Sequence, residues 1–175
     1  MNRLGVLAAL FAANCNTSNV DTEEVTLGPL AFEVPAQWTR TNNEPSGARS
    51  AMWTPVTDEN PRKESVTVIR SAAHADRDQL TGDGLVNLLA GAQGSLRGAR
   101  VSKVTPLHTR RGYNGAKIDA SFQPGDSPTR YRRVHAVLVE PETSDVIHVL
   151  YTAARPDDKL TAFYTVLESI HEGAC

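Results

Sequence analysis

The sequence predicts an α+β domain, in which a mostly antiparallel sheet of six to seven strands carries two main helices. Short runs that alternate apolar and polar residues recur along the chain, as expected of half-buried strands. Two longer segments, within residues 81–96 and 156–172, repeat their apolar residues at helical spacing. Short polar loops join consecutive strands, which favours antiparallel pairing and gives the order β-β-β-α-β-β-β-β-α.

Three strands and a helix make up the first half. Residues 30–35 alternate and stop at a proline, residues 48–54 place Ala51 and Trp53 on one face, and residues 65–70 are rich in β-branched side chains. The helix that follows has an apolar stripe formed by Leu85, Leu88, Leu89, Ala92 and Leu96.

Four strands and a second helix complete the domain. The strands are predicted at 100–105, 115–122, 130–139 and 146–154, and the polar loop 140–145 joins the last two as a hairpin. The helix begins near Pro156 and stops at Gly173. Its apolar stripe is formed by Leu160, Phe163, Tyr164, Leu167 and Ile170. No repeat or linker interrupts residues 25–172, which predicts a single domain with a short tail at 173–175.

Composition excludes several classes of protein. The 175 residues include 18 Lys and Arg, 20 Asp and Glu and two cysteines, with a net charge of −2. This balance argues against nucleic-acid binding by bulk charge, and two cysteines cannot form a Cys-rich zinc site or a multi-disulfide scaffold.

The N-terminus has the pattern of an export signal. Arg3 precedes the apolar run 4–13, which is too short to span a bilayer, and Asn14 and Cys15 follow it. The segment 11–15 resembles a bacterial lipobox, which implies lipidation at Cys15, and residues 16–24 then form a tether. With Asn16 after the cysteine, the resemblance implies outer-membrane sorting, facing the periplasm, in a Gram-negative cell. Two alternatives stay open: cleavage near Ala12 or Ala13 to give a soluble periplasmic or secreted protein, and an uncleaved buried helix.

A family resemblance extends over about residues 28–172. Phe32, Val34, Pro35 and Trp38 open the domain, and a late strand running Leu150-Tyr151-Thr152-Ala153-Ala154 precedes a last helix that closes on Leu167-Glu168-Ser169-Ile170. This arrangement resembles the PsbP/Mog fold, which includes the photosystem II subunit PsbP, the Ran-binding Mog proteins and the bacterial DcrB-like envelope lipoproteins. The lipoproteins fit the leader best. The resemblance implies a non-enzymatic accessory or binding protein of the cell envelope.

Positive charge is concentrated between residues 97 and 133, where only Asp119 and Asp126 oppose the Lys and Arg residues, whereas residues 20–59 are mainly acidic. A basic surface could dock an acidic protein or anionic envelope lipids. The residues expected to form it are Arg110, Arg111, Arg130 and Arg132. The alternative is a mixed, solvated surface.

Three other groups could carry chemistry. If the 140–145 hairpin pairs residue 137 with residue 148, His135 and His148 lie diagonally on one face, although no third metal ligand neighbours them. Ser121, His135 and Asp119 can be combined as a catalytic triad, but no oxyanion loop accompanies them. The two tryptophans, Trp38 and Trp53, could stack on a planar ligand, or could simply pack in or beside the core.

The pattern as a whole favours a non-catalytic envelope lipoprotein, with no cofactor, no metal and no nucleic acid. Its partner would be an envelope protein or an anionic envelope component. The alternatives are a small envelope hydrolase and an immunity-type or structural subunit that occludes another protein.

Overall fold

The computed structural model describes residues 20–41, 50–56, 63–71, 98–123, 128–143, 145–154 and 159–173. The leader with Cys15, the predicted helix at 81–96 and Cys175 lie outside the described residues. The strands are β1 Thr22–Leu27, β2 Leu30–Pro35, β3 Trp38–Thr41, β4 Ser50–Pro55, β5 Ser65–Ser71, β6 Arg100–Val101, β7 Thr105–His108, β8 Asn114–Phe122, β9 Tyr131–Val139, β10 Val146–Ala153 and β11 His171–Glu172; the described helix, α1, is Thr161–Ser169.

The strands form two antiparallel sheets. In the described part of the chain, the large sheet has the order β3-β4-β5-β10-β9-β8-β6, with β7 also paired to β8, and the small sheet has the order β1-β2-β11. The mostly antiparallel α+β class is therefore correct. The strand count was too low, because the single sheet predicted is two sheets with eleven described strands.

The additional strands are short and lie mainly at sheet edges. β1 begins at Thr22, inside the segment 16–24 expected to be a tether, so the domain extends further towards the N-terminus than predicted. The strand expected at 100–105 is two strands, β6 and β7. Helix α1 ends at Ser169 rather than at Gly173, because the chain turns into β11 and pairs with β2.

The main core lies between one face of the large sheet and a layer made of the small sheet and α1. Phe32 of β2 packs edge-to-face on Trp53 of β4, with ring centroids 5.1 Å apart. Phe163 and Leu167 of α1 are fully buried in the same cluster as Val149 and Tyr151 of β10. Phe163 and Leu167 belong to the apolar stripe predicted for this helix, and their burial confirms it; Leu88 and Leu89 of the other predicted stripe are not among the described residues.

The opposite face of the large sheet has its own smaller apolar cluster, formed by Ala116, Ile118, Val137 and Val146. Strands β8 and β9 approach closely where this cluster begins. A Cβ added to Gly115 would lie 1.9 Å from the carbonyl oxygen of Val137, so only glycine fits there without a shift of the backbone.

Candidate functional site

A cleft of about 500 Å³ opens between β1 of the small sheet and strands β3 and β4 of the large sheet. Its described lining combines two indole rings, two carboxylates, an arginine, two threonines and a valine: Glu23, Glu24, Val25, Thr26, Trp38, Thr39, Arg40 and Trp53. Aromatic surface beside a few polar groups is typical of ligand and peptide sites. We therefore treat this cleft as the candidate binding site.

Packing of the two sheets fixes the floor of the cleft. Trp53 is 2% exposed and is held from below by the ring of Phe32. The guanidinium carbon of Arg40 lies 5.9 Å from the centroid of the Trp53 ring, on the neighbouring strand, which is cation–π distance. Trp38, at the start of β3, is half-buried and packs against the same core cluster. The sequence interpretation of Trp53 as a core residue is confirmed, and both tryptophans also line the cleft.

Acidic side chains stand along the other wall. Glu23 lies opposite Val34 of β2 and Val25 lies opposite Phe32, so these two β1 side chains point to the core side of the small sheet. Glu24 points to the outer side, where its carboxylate lies 3.7 Å from Nε2 of His171. The cleft is therefore bordered by carboxylates from both sides of one strand.

The four arginines expected to form one basic surface fall into two groups. Arg130 and Arg132 share the face of the large sheet that carries α1, whereas the guanidinium of Arg133 lies over the Phe122 ring on the other face, as strand alternation predicts. Arg110 and Arg111 are exposed in the turn between β7 and β8, roughly 20–25 Å away along β8. Whether any of them binds a partner stays a prediction.

Arg132 already has a partner within the fold. Its Nε and Nη2 atoms donate to the two carboxylate oxygens of Asp119 at 2.5–3.1 Å, and this hydrogen bonding raises the pKa of the guanidinium. Arg130 donates to the hydroxyl of Ser121 at 2.8 Å. Of the two, Arg130 is therefore better placed to bind an external anion, because its described partner is a neutral hydroxyl and that of Arg132 is a carboxylate.

The histidine geometry follows the predicted hairpin. Val137 pairs with His148, and the Nε2 atom of His135 lies 3.0 Å from Nδ1 of His148 on the face opposite α1. Burial lowers the pKa of both rings, and for His135 burial together with the nearby His148 and Arg133 lowers the pKa to about 3. No group of three metal-ligating side chains occurs in the part of the chain that the structure describes.

The catalytic triad considered from the sequence is wrong. His135 lies opposite Ile118, on the face away from α1. Asp119 and Ser121 point to the other face, where they bind Arg132 and Arg130. The body of the sheet separates the three side chains, so no proton can pass between them.

Sequence reasoning missed a buried ionic cluster at the β9–β10 hairpin. Arg70 of β5 donates to Glu140 at 3.0 Å and lies 2.8 Å from the carboxylate of Asp145. Glu140, with a side chain only 1% exposed, also accepts a hydrogen bond from Thr143. The sequence pattern shows an arginine at the end of one strand and two acids around a loop, but nothing local shows that β10 brings them together.

Comparison with known proteins rests on structure. No protein-family model and no curated protein matches the chain. Three solved structures align with most of this chain. The Ran-binding protein Mog1p of Saccharomyces cerevisiae is 10% identical, with 87% of this chain and 96% of that chain covered and a TM-score of 0.58. LpqN of Mycobacterium tuberculosis, described as involved in cell envelope biogenesis, is 16% identical, with coverages of 86% and 89% and a TM-score of 0.58, and CyanoP of Synechocystis sp. PCC 6803 is 15% identical, with coverages of 97% and 99% and a TM-score of 0.57.

The fold is the PsbP/Mog fold. The predicted resemblance is confirmed at the level of architecture, since representatives of its photosystem, Ran-binding and envelope branches all align over most of this chain. In the described residues, no helix is both long enough and apolar enough to span a bilayer.

Proposed function

We propose that this protein is an exported accessory protein of the cell envelope, held by a lipid on Cys15, which binds a partner and performs no catalysis. The observation that carries the proposal is the cleft between β1 and β3. Its described lining offers rings for packing and charges and hydroxyls for orientation, which suits recognition. The fold shared with LpqN, a protein described as involved in cell envelope biogenesis, supports an envelope setting.

The leader supports the anchor. A cation, an apolar run and Cys15 precede the polar segment 16–19, and β1 begins at Thr22, so only a few residues separate the anchor from the folded domain. Such a short connection would hold the domain close to the membrane surface.

Metabolic labelling tests the anchor. Cells that express the full chain are given a fatty acid with a clickable tag. We expect label on the wild type, no label on Cys15→Ser, and release of that variant into the soluble fraction. The matched control is Cys175→Ser, which removes the second cysteine and should keep both the label and the membrane fractionation. A mature protein that retains residues before Cys15, or one that carries no lipid, contradicts the proposal.

Site-specific photo-crosslinking tests binding through the cleft. A photoreactive amino acid in place of Thr39, in the cleft wall, should trap a discrete envelope partner in intact cells. The same amino acid in place of Thr165, on α1, is the control and should trap less. Equal yields from the two positions would mean that the cleft is not the contact surface.

A further inference from the structure

We infer that the cleft accepts an extended, basic segment of a partner protein, which adds to the exposed edge of β1 as a further strand. This inference deepens the proposed binding function by naming the class of partner. The cleft has a clear direction, because strand edges form its walls.

The lining residues are consecutive, and this identifies the edge. Side chains of neighbouring residues in a strand point to opposite faces, so a cavity that lies over one face is lined by every second residue. Four consecutive residues of β1, from Glu23 to Thr26, line this cleft, as do three consecutive residues of β3. A cavity that contacts both faces of a strand lies along its edge.

That edge is open for pairing in the part of the chain that the structure describes. β2 occupies one edge of β1 along its whole length, from Thr22 to Leu27, and β1 ends the small sheet. On the far wall, β3 ends the large sheet. An edge strand presents main-chain N–H and C=O groups towards its free side, and an incoming extended peptide can satisfy them.

Charge favours a basic peptide over a second copy of this chain. Glu23 and Glu24 are exposed on β1, with Asp21 just before the strand and Glu33 on the neighbouring strand. Antiparallel pairing of two copies through β1 would bring these carboxylates against one another, and like charges on paired strands are destabilising. Lysines or arginines at alternate positions of a peptide would instead lie on the face that carries Glu23 and Val25, and the residues between them would point to the outer face, beside Glu24.

The test uses a blocked synthetic decapeptide that alternates lysine and valine, added to the full chain. Two further peptides are methylated on the main-chain nitrogen of every lysine or of every valine. Each methylation pattern removes the main-chain N–H donors from one edge of the extended peptide. We expect saturable binding by tryptophan fluorescence, slower hydrogen exchange in β1, and loss of binding with one of the two methylated peptides. Binding that is unaffected by both methylations would overturn strand addition.

Charge variants give the second arm. Glu23→Lys should weaken peptide binding about fivefold or more, as expected when an exposed ion pair becomes a repulsive one, and added salt should weaken wild-type binding. The matched control is Glu172→Lys on β11, at the opposite edge of the same sheet, which should change binding by less than about twofold. If Glu23→Lys lowers thermal stability, Glu23→Gln replaces it.

Three outcomes would overturn the inference: no saturable binding, equal weakening by the two lysine variants, or concentration-dependent dimerisation of the chain that Glu23→Lys alters. These outcomes are independent of the anchor experiment. Lipid labelling at Cys15 could succeed while the peptide fails to bind, in which case the envelope proposal stands and the strand-addition site does not.

Discussion

Two histidines, the buried His135 and the half-buried His148, make stability depend on pH. In the fold, burial lowers the pKa of His135 to about 3 and also lowers that of His148, whereas in the unfolded chain both return to about 6.5. The unfolded state therefore binds more protons below pH 6.5, so stability is full above this pH and is lost as pH falls towards the folded pKa values. Each ring can contribute up to about 1.4 kcal/mol per pH unit.

Urea unfolding at pH 7.0 and pH 5.5 measures this dependence. His135→Gln removes one titrating ring and should reduce the loss of stability between the two pH values. His108→Gln, at an exposed histidine of β7, serves as the control and should leave that loss unchanged. A wild type that is equally stable at both pH values would contradict the expected linkage.

The Arg132–Asp119 pair predicts a small but measurable coupling in stability. Both side chains are 36% exposed, so solvent screens the pair and the coupling should not exceed about 1 kcal/mol. A double-mutant cycle with Arg132→Ala and Asp119→Ala, read by denaturant unfolding, gives this value directly. Arg130→Ala should change the free energy of unfolding by less than about 0.5 kcal/mol. A larger effect at Arg130 than at Arg132 would reverse this assignment.

Sequence patterns gave some of these residue contacts and missed others for a physical reason. Strand alternation and the length of the hairpin loop were enough to place His135 beside His148 and to separate Arg133 from Arg132. The Arg132–Asp119 contact depends on the register between β8 and β9, and the sequence of either strand alone does not determine that register. The same register puts Asp119 on the face away from His135, which is why the triad failed.

At the level of elements, α1 should contribute strongly to stability. Leu167 is fully buried between the small sheet and β10, so Leu167→Ala removes apolar contacts and leaves a cavity. We expect a loss of about 2–5 kcal/mol in the free energy of unfolding. Thr165→Ala, at a partly exposed position of the same helix, should cost less than about 1 kcal/mol. A loss below about 1 kcal/mol at Leu167 would place α1 outside the cooperative core.

Long elements were predictable and short edge elements were not. β8, β10 and α1 each carry a sustained apolar period that comes from one buried face, and β9 carries a nearly continuous apolar run because residues 134–138 are buried on both faces. β1 has adjacent glutamates and a single buried residue, Leu27, so its sequence carries almost no alternation. β1 is an edge strand with most of its side chains exposed, so it needs little apolar surface. For that reason the wall of the candidate cleft could not be predicted from the alternation of apolar and polar residues.

The two charged regions of the sequence lie at opposite edges of the folded molecule. The acidic β1 stands beside β3, at one end of the large sheet, and the basic residues of β6 and the β7–β8 turn, with Arg130 on Ser121 of β8, stand at the other. Six strand spacings separate these ends in the sheet order, which is roughly 30 Å. At physiological ionic strength charges are screened over about 8 Å, so each edge acts independently despite the net charge of −2.

This separation predicts that, once Cys15→Ser removes the proposed lipid anchor, anionic membranes bind through the basic edge alone. Vesicles that contain an anionic phospholipid should co-sediment with the protein at low salt, and Arg111→Glu with Arg130→Glu should cut that binding by at least about tenfold, since each basic residue near such a surface contributes about 1 kcal/mol. Among the described residues neither side chain forms an ion pair, in contrast to Arg132, so thermal stability should hold. Glu23→Lys with Glu24→Lys is the control and should not reduce vesicle binding. If the arginine reversals have no effect while salt still releases the protein, another surface holds the membrane and the basic edge is ordinary solvated surface.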